Sequence, residues 1–158
     1  MDKATMDLMM KFKDKYLSDM KGASILDVGS RRVRRQTLDY SQIFSADYDY
    51  TGMDIVAGPN VDIVGYDSIT MQYDVVISGN VMEHVERPWE WIVSLATYFK
   101  KYICIIAPWQ WREHRHPIDT FRYMPDGMRS LFNYAGIKVI EIIKDSRYHC
   151  VGIGERQE

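Results

Sequence analysis

Short apolar runs alternate along the chain with segments in which apolar residues recur at helical spacing. Continuous apolar runs that end at a turn or a polar residue predict buried strands. These runs cover residues 25–28, 50–53, 61–64, 74–78, 102–107, 139–143 and 150–153. The segments with helical spacing are 3–20, 88–98 and 125–134, and more weakly 31–46. The pattern therefore predicts an α/β protein.

The alternation of strands with helices predicts a mainly parallel sheet with helices on both faces. The last two predicted strands have only a short polar connection, near Asp145 and Ser146, so they should pair antiparallel. We expect one domain over residues 1–158, with an N-terminal helix in 1–21 and the core in 22–158. The expected fold is a three-layer sandwich around a seven-stranded, mostly parallel sheet whose last strand is antiparallel.

Composition limits the function classes without choosing one. The chain has 158 residues, 46% of them hydrophobic and 27% charged, as in an ordinary soluble domain. Its formal net charge of −2 gives no electrostatic reason to expect nucleic-acid binding. No apolar run reaches the length of a membrane span, and the N-terminus lacks the apolar core of a signal peptide, so we expect a cytoplasmic protein. Cys104 and Cys150 lie in predicted strands and are expected to be buried free thiols.

The first predicted strand ends in a turn suited to ligand binding. Asp27 lies near the carboxyl end of that strand, and Gly29 permits a sharp turn and a close ligand approach. Ligands of open parallel sheets bind at this edge, where the N–H groups of the turn can meet a carboxylate or a phosphate. A dinucleotide-binding turn would carry three glycines, whereas Ser30, Arg31 and Arg32 follow the single glycine here. The turn therefore predicts a cofactor site and disfavours NAD.

Two further strand ends carry polar residues at the same predicted edge. Asp54 ends the second strand, where a carboxylate can accept hydrogen bonds from both hydroxyls of a ribose. Ser78 and Asn80 follow the fourth strand, and an asparagine side chain can both donate and accept. Because the carboxyl ends of parallel strands share one edge, we expect these residues to face the site predicted at the first turn.

Three histidines are candidate general bases, because an imidazole titrates near neutral pH. His84 follows Glu83 near a predicted helix, and a capping or core-edge role is the alternative. His114 and His116 lie in the segment after the fifth strand. No third ligand accompanies that pair, so the sequence predicts no metal site.

Aromatic and cationic residues concentrate in the same segment, 109–123. A loop of this composition at the ligand-binding edge is typical of a substrate mouth. The candidate substrate-binding residues are Trp109, Trp111, Arg112, Arg122 and Tyr123. The indoles can stack on a ring, and the guanidinium groups can hold a carboxylate or a phosphate. The alternative is a structured loop with internal salt bridges.

Short motifs along the chain resemble, in their order, those of class I S-adenosylmethionine-dependent methyltransferases of the small methyltransferase-domain type. They are Ile-Leu-Asp-Val-Gly-Ser at 25–30, Tyr-Thr-Gly-Met-Asp-Ile at 50–55, Tyr-Asp-Val-Val-Ile-Ser at 73–78 and Glu-His-Val at 83–85, with Pro-Trp at 88–89. The stretch 116–128 is similar to a branch associated with polysaccharide and sugar biosynthesis. The resemblance implies a Rossmann-like sheet and S-adenosylmethionine as the methyl donor.

The resemblance also implies a set of cofactor-binding residues. They are Asp27, Gly29, Ser30, Asp54, Ile55, Tyr66, Asp67, Ser78 and Asn80, with Tyr66 or Asp67 near the adenine amino group. Asp27 and Gly29 would hold the amino-acid part of the cofactor, and Asp54 would bind its ribose. Ile55 would pack on the adenine, and residues 78–80 would lie beneath the methionine moiety.

Two features depart from the family pattern. Arg31 stands where a second glycine is usual, and the chain has no inserted substrate domain. The lack of an inserted domain suggests a small or partner-presented substrate, or an open site completed by a second subunit. We expect a small-molecule acceptor, with a saccharide suggested by the resemblance, that is methylated on oxygen or nitrogen. A homodimer would cover the tryptophans expected on the surface. The alternative is an inactive methyltransferase-like binding or regulatory module, and affinity for S-adenosylmethionine separates the two.

Overall fold

The computed structural model describes residues 2–33 and 37–157 as a sheet with helices on both faces. The α-helices are α1 (Lys3–Tyr16), α2 (Ser41–Phe44), α3 (Pro88–Tyr98) and α4 (Pro125–Tyr134). The strands are β1 (Ser24–Val28), β2 (Asp49–Asp54), β3 (Ile63–Val64), β4 (Tyr73–Gly79), β5 (Phe99–Pro108), β6 (Lys138–Lys144) and β7 (His149–Glu155). Short 3₁₀ helices at Tyr66–Ser68 and Met82–His84 follow β3 and β4.

The strands form one sheet in the order β3-β2-β1-β4-β5-β7-β6. Strands β1 to β5 run parallel, whereas β7 runs antiparallel to both of its neighbours, β5 and β6. The short connection between β6 and β7 accounts for their antiparallel pairing. β1 is central, since Leu26 pairs with Thr51 on one side and with Val76 on the other. The predicted seven-stranded, mostly parallel sandwich is confirmed.

Alternate residues of β1 contribute to two apolar cores, one on each face of the sheet. Ile25 packs in the core that contains Met9 of α1, to which α2 also contributes. Leu26 packs in the opposite core, with Ile92 of α3 and Phe132 of α4. All of these side chains are fully buried, so the sheet and its helices hold one another in place.

Helix α1 begins at a side-chain cap and ends earlier than its apolar pattern predicts. The carboxylate of Asp2 accepts a hydrogen bond from the backbone N–H of Thr5 (2.9 Å). Apolar spacing continues to Met20, but the helix ends at Tyr16, with Leu17 as its C-cap. Leu17 is fully buried in the same core as the helix, so apolar spacing beyond the helix reflects packing of an irregular segment.

The weak helical pattern over 31–46 predicts a longer helix than the structure has, because the only helix described there is α2. Residues 34–36 of that segment lie outside the described residues. The Asp39 carboxylate accepts a hydrogen bond from the N–H of Ser41 (3.0 Å), so a side-chain turn precedes the helix. None of the described helices is long and apolar enough to cross a membrane.

Met9→Ala is expected to lower the free energy of unfolding by about 2–5 kcal/mol, because the side chain is fully buried against the sheet. Met10 is 43% exposed, so Met10→Ala provides a matched control, with an expected change under about 0.5 kcal/mol. Urea denaturation of both variants measures the two values. Equal losses would contradict the packing of α1 on the sheet.

Candidate functional site

A cavity of about 980 Å³ opens at the carboxyl ends of β1, β2 and β4. Its walls come from the turn after β1, the tip of β2, the segment after β4 and the loop after β5. The sequence-predicted residues on its walls are Gly29, Ser30, Asp54, Ile55, Tyr66, Asn80, His84, Trp111, His114 and His116. The predicted cofactor end and the predicted acceptor end therefore belong to one cavity, of a size that holds a small-molecule ligand.

The turn after β1 brings the backbone against the segment that follows β4. Gly29 has a φ of 84°, and a Cβ atom there would collide with the Val81 side chain. The N–H groups of Gly29 and Ser30 donate to the Met53 carbonyl (2.8 and 3.0 Å). These two N–H groups therefore join the turn to β2, which corrects the expectation that they meet an anion directly.

Asp27 lies beneath the turn and does not line the cavity. It is 2% exposed, and its carboxylate accepts a hydrogen bond from the Tyr50 hydroxyl (2.6 Å). Burial raises the pKa of Asp27 to about 7, and the Asp39 and Asp54 carboxylates add to the rise, while the Tyr50 hydrogen bond opposes it. Asp27 supports the turn from below, and its contact with a cofactor stays a prediction.

Asp54 ends β2 on the cavity wall. One of its carboxylate oxygens accepts a hydrogen bond from the Val56 N–H (3.0 Å) and lies 3.6 Å from Nε of Arg31. That Nε atom is buried without a hydrogen-bond partner, and Arg31 lines the same wall. Ile55 follows, with 64% of its surface exposed. This part of the wall offers a carboxylate, a guanidinium and an apolar side chain to a ligand.

Tyr66 lines the next part of the cavity, in the 3₁₀ helix after β3. Its hydroxyl accepts a hydrogen bond from Nε1 of Trp91 in α3 (2.6 Å), and burial raises the pKa of the phenol to about 12. Asp67 is exposed and lies outside the wall. Of the two residues predicted near the adenine amino group, Tyr66 is therefore the one that a ligand in the cavity can reach.

Of the two polar residues predicted after β4, Asn80 lines the cavity and Ser78 lies outside its wall. Asn80 has a φ of 56° and lines the cavity, while its Nδ2 donates to Oγ1 of Thr5 in α1 (3.1 Å). Ser78 is buried outside the wall and donates to the Val28 carbonyl (2.7 Å). Ser78 therefore joins β4 to β1, and Asn80 is the member of this pair that is available to a ligand.

The three predicted histidines lie close together on the cavity wall. His84 ends the 3₁₀ helix after β4, whereas His114 and His116 come from the loop after β5. The ring centroids of His84 and His114 are 4.8 Å apart, and that of His116 lies 5.6 and 6.0 Å from them. The chain has four histidines in total, so the fold gathers most of them on one wall.

Glu83, to which the sequence patterns assign no role, lies inside this histidine cluster. It is 1% exposed, and its Oε1 is 3.8 Å from Nε2 of His84 and 4.0 Å from Nε2 of His114. Burial raises the pKa of Glu83 to about 8, although the Arg122 charge lowers it in part. The signal available in the sequence was a carboxylate directly beside a candidate histidine.

Hydrogen bonds on the outer side of the cluster assign the ring nitrogens of two histidines. Nδ1 of His84 lies 2.7 Å from the Ile118 carbonyl, and Nδ1 of His114 lies 3.2 Å from the Arg112 carbonyl. Because a carbonyl oxygen can only accept, Nδ1 of each ring carries a hydrogen, so Nε2 is the nitrogen that can offer a lone pair, and in both rings Nε2 lies near Oε1 of Glu83. Burial lowers the pKa of His84, which favours its neutral form.

A bidentate ion pair organises the loop after β5. The guanidinium of Arg122 donates to both carboxylate oxygens of Asp119 (2.6 and 2.8 Å) and holds the pKa of that carboxyl well below its usual range. It also donates to the carbonyls of Trp111 and Arg112 (3.2 and 3.1 Å). Arg122 is thus occupied within the loop, as the structured-loop alternative expects, and neither it nor Arg112 lines the cavity.

Of the aromatic residues predicted to bind substrate, Trp111 lines the cavity. It is 46% exposed, and its ring lies 4.4 Å from that of Tyr148. Tyr123 is buried and donates to the Met82 carbonyl (2.9 Å), and Trp109 is half-buried outside the wall. The structure therefore uses Tyr123 and Trp109 for packing and leaves Trp111 available to a ligand.

No family model matches the chain, and no curated protein matches it. Solved structures match over nearly all of its length. A SAM-dependent methyltransferase from Aquifex aeolicus matches with a TM-score of 0.71 at 15% identity, covering 99% of this chain and 94% of that chain. This is the fold of the class I S-adenosylmethionine-dependent methyltransferases.

Two further matches were solved with S-adenosylhomocysteine (SAH) bound. The magnesium protoporphyrin IX methyltransferase ChlM from Synechocystis PCC 6803 has a TM-score of 0.70 at 15% identity, over 98% of this chain and 83% of that chain. The N-terminal domain of EvdMO1 has a TM-score of 0.68 at 14% identity, over 99% of this chain and 82% of that chain. The TM-scores of these matches establish the methyltransferase fold. Sequence identities of 14–15% are too low to identify a substrate.

Within this methyltransferase fold, Asp27→Asn should remove part of the pH dependence of stability. The pKa of Asp27 is about 7 in the folded protein and about 3.9 in an unfolded chain. Between these two pH values Asp27 is protonated in the native state and ionised in the unfolded state. This carboxyl therefore costs the wild type about 2 kcal/mol of stability as the pH rises from about 5.5 to about 8. Urea denaturation at both pH values should show that loss reduced in the variant, and an unchanged loss would contradict the buried carboxyl.

Proposed function

We propose that this protein transfers a methyl group from S-adenosylmethionine to an oxygen or nitrogen of a small molecule. The observation that carries the proposal is a single cavity whose wall includes both Asp54 and three histidines. The carboxylate suits a ribose, and the imidazoles suit an acceptor that loses a proton. The fold supports the same function, because the matched structures are S-adenosylmethionine-dependent methyltransferases.

The cofactor end of the cavity has groups that fit S-adenosylmethionine. Asp54 would accept hydrogen bonds from the ribose hydroxyls, and the exposed side chain of Ile55 would pack on the adenine. The methionine moiety would lie beside Gly29 and Asn80, which line the cavity where the turns after β1 and β4 meet. S-adenosylmethionine supplies, when bound, a methyl group on a positively charged sulfur.

The acceptor end would hold a hydroxyl or an amine in line with the methyl group. His116 is the exposed histidine of the cluster. We assign to it the role of general base, which accepts the proton that a hydroxyl acceptor loses. Trp111 offers an apolar face on which a sugar ring can stack. A saccharide acceptor is also supported by the N-terminal domain of EvdMO1, a structure of which was determined in the presence of SAH and D-fucose (TM-score 0.61, 13% identity).

A second candidate function, an inactive binding or regulatory module, is favoured by Arg31. Its Nε lies 3.6 Å from the Asp54 carboxylate, the group proposed for the ribose. An ion pair that persists in solution would compete with the ribose for that carboxylate. Micromolar binding of SAH in a calorimetric titration supports the enzyme, whereas no binding by the folded protein supports the module. A homodimer, a cytoplasmic location and the lack of a nucleic-acid partner stay predictions for both candidates.

Asp54→Ala is expected to weaken SAH binding at least about tenfold, because hydrogen bonds to a charged group contribute about 1.5–3 kcal/mol. Asp49→Ala is the matched control, since Asp49 begins the same strand, is exposed and lies outside the cavity wall. Isothermal titration calorimetry of the wild type and both variants measures the dissociation constants. Equal affinity of Asp54→Ala and the wild type would contradict the ribose contact.

A further inference from the structure

Three side chains that can ligate a metal, Glu83, His84 and His114, meet on one wall of the cavity. One ligand atom from each lies within 4.8 Å of the other two. Glu83 and His84 are adjacent in the 3₁₀ helix after β4, whereas His114 comes from the loop after β5. Glu83 is 1% exposed, so its carboxyl is removed from water at this position, at a cost that a favourable partner must offset.

The atoms that face one another in this group all bring electron pairs. Nε2 of His84 and Nε2 of His114 are the acceptor nitrogens, since both Nδ1 atoms donate to backbone carbonyls. Their distances of 3.8 and 4.0 Å from Oε1 of Glu83 are too long for hydrogen bonds. The other carboxylate oxygen, Oε2, is buried without a hydrogen-bond partner. A single proton could not satisfy all of these atoms, whereas one cation can share all of their electron pairs.

We propose that Glu83, His84 and His114 bind a divalent transition-metal ion of the zinc type. Two neutral imidazoles and one carboxylate form the donor set of catalytic zinc sites. Tetrahedral bonds of about 2.0–2.1 Å put ligand atoms about 3.3 Å apart. The 3.8 and 4.0 Å distances must therefore close by about 0.5–0.7 Å, and the pair of histidine nitrogens, which lie within 4.8 Å of each other, by up to about 1.5 Å. The hydrogen bonds to the carbonyls of Ile118 and Arg112 already orient both rings, as the outer partners of metal-bound histidines do.

The metal would activate the acceptor of the methyl transfer, and this role rests on the proposed function. Three protein ligands leave a coordination position that opens to the cavity, where a hydroxyl oxygen can bind. Coordination lowers the pKa of that hydroxyl, and the proton passes to His116 as the O–H bond breaks. The oxygen electron pair forms the bond to the methyl carbon, while the carbon–sulfur bond breaks with its electron pair on sulfur. His116 then releases the proton to solvent.

Titration with Co²⁺ of the tag-free protein, first treated with EDTA, tests the metal site. Co²⁺ substitutes for Zn²⁺ and has visible absorption bands that report its ligands. We expect one equivalent of Co²⁺ to bind and to be displaced by Zn²⁺. His114→Gln and Glu83→Gln should each weaken Co²⁺ binding at least about tenfold, because each removes a ligand. His116→Gln, the matched control in the same loop, should retain the wild-type affinity.

Absence of saturable Co²⁺ binding, or equal affinity of the wild type, His114→Gln and Glu83→Gln, would overturn the site. A loss in His116→Gln equal to that in His114→Gln would overturn the assigned ligand set. Circular dichroism checks the fold of each variant. Because His114 is partly exposed, its variant keeps the test decisive even where Glu83→Gln fails to fold.

Titration of the metal-free and the Co²⁺-loaded protein with SAH separates this inference from the proposed function. SAH binding without Co²⁺ binding would overturn the metal site and leave the methyltransferase proposal standing. Co²⁺ binding without SAH binding would support the metal site and contradict methyl transfer from S-adenosylmethionine.

Discussion

The close contact between the turns after β1 and β4 is the constraint on which the site depends. Strand order reverses at this pair, since β2 and β3 lie outward from β1, and β5 lies outward from β4. Adjacent parallel strands whose connections leave in opposite directions open a crevice at their carboxyl ends. Gly29 allows the two turns to approach, because a side chain there would collide with Val81. The cavity therefore follows from the strand order together with one glycine.

Polar contacts between distant segments keep the walls of this crevice in place. On the cofactor side, the hydrogen bond from Tyr50 to Asp27 links β2 to β1 beneath the turn. On the acceptor side, an internal ion pair closes the loop after β5, and Thr120 of that loop donates from its N–H and its hydroxyl to the Glu83 carbonyl (2.8 and 2.9 Å). These contacts bring His114 to Glu83, so the geometry of the acceptor end depends on the whole loop.

The regular elements could be predicted from the sequence because their signals are local. Apolar runs mark the strands, and a proline in the first turn marks the start of both α3 and α4. The direction of a side chain in an irregular loop is not a local property. Glu83, to which no role was assigned, lies in the site, whereas the guanidinium of Arg122, predicted to bind substrate, is held by Asp119. Residue type predicts the available chemistry, and contacts between distant segments decide which groups reach the cavity.

Heteronuclear NMR of the protein titrated with SAH tests most directly the claim that the crevice between β1 and β4 is a cofactor site. We predict saturable changes in amide chemical shift that are largest at Gly29, Ser30, Ile55 and Asn80, all on the cavity wall. Amides of β6, at the edge of the sheet opposite β3, serve as the internal reference and should change little. No saturable change, or changes as large in β6 as at the cavity wall, would contradict the claim.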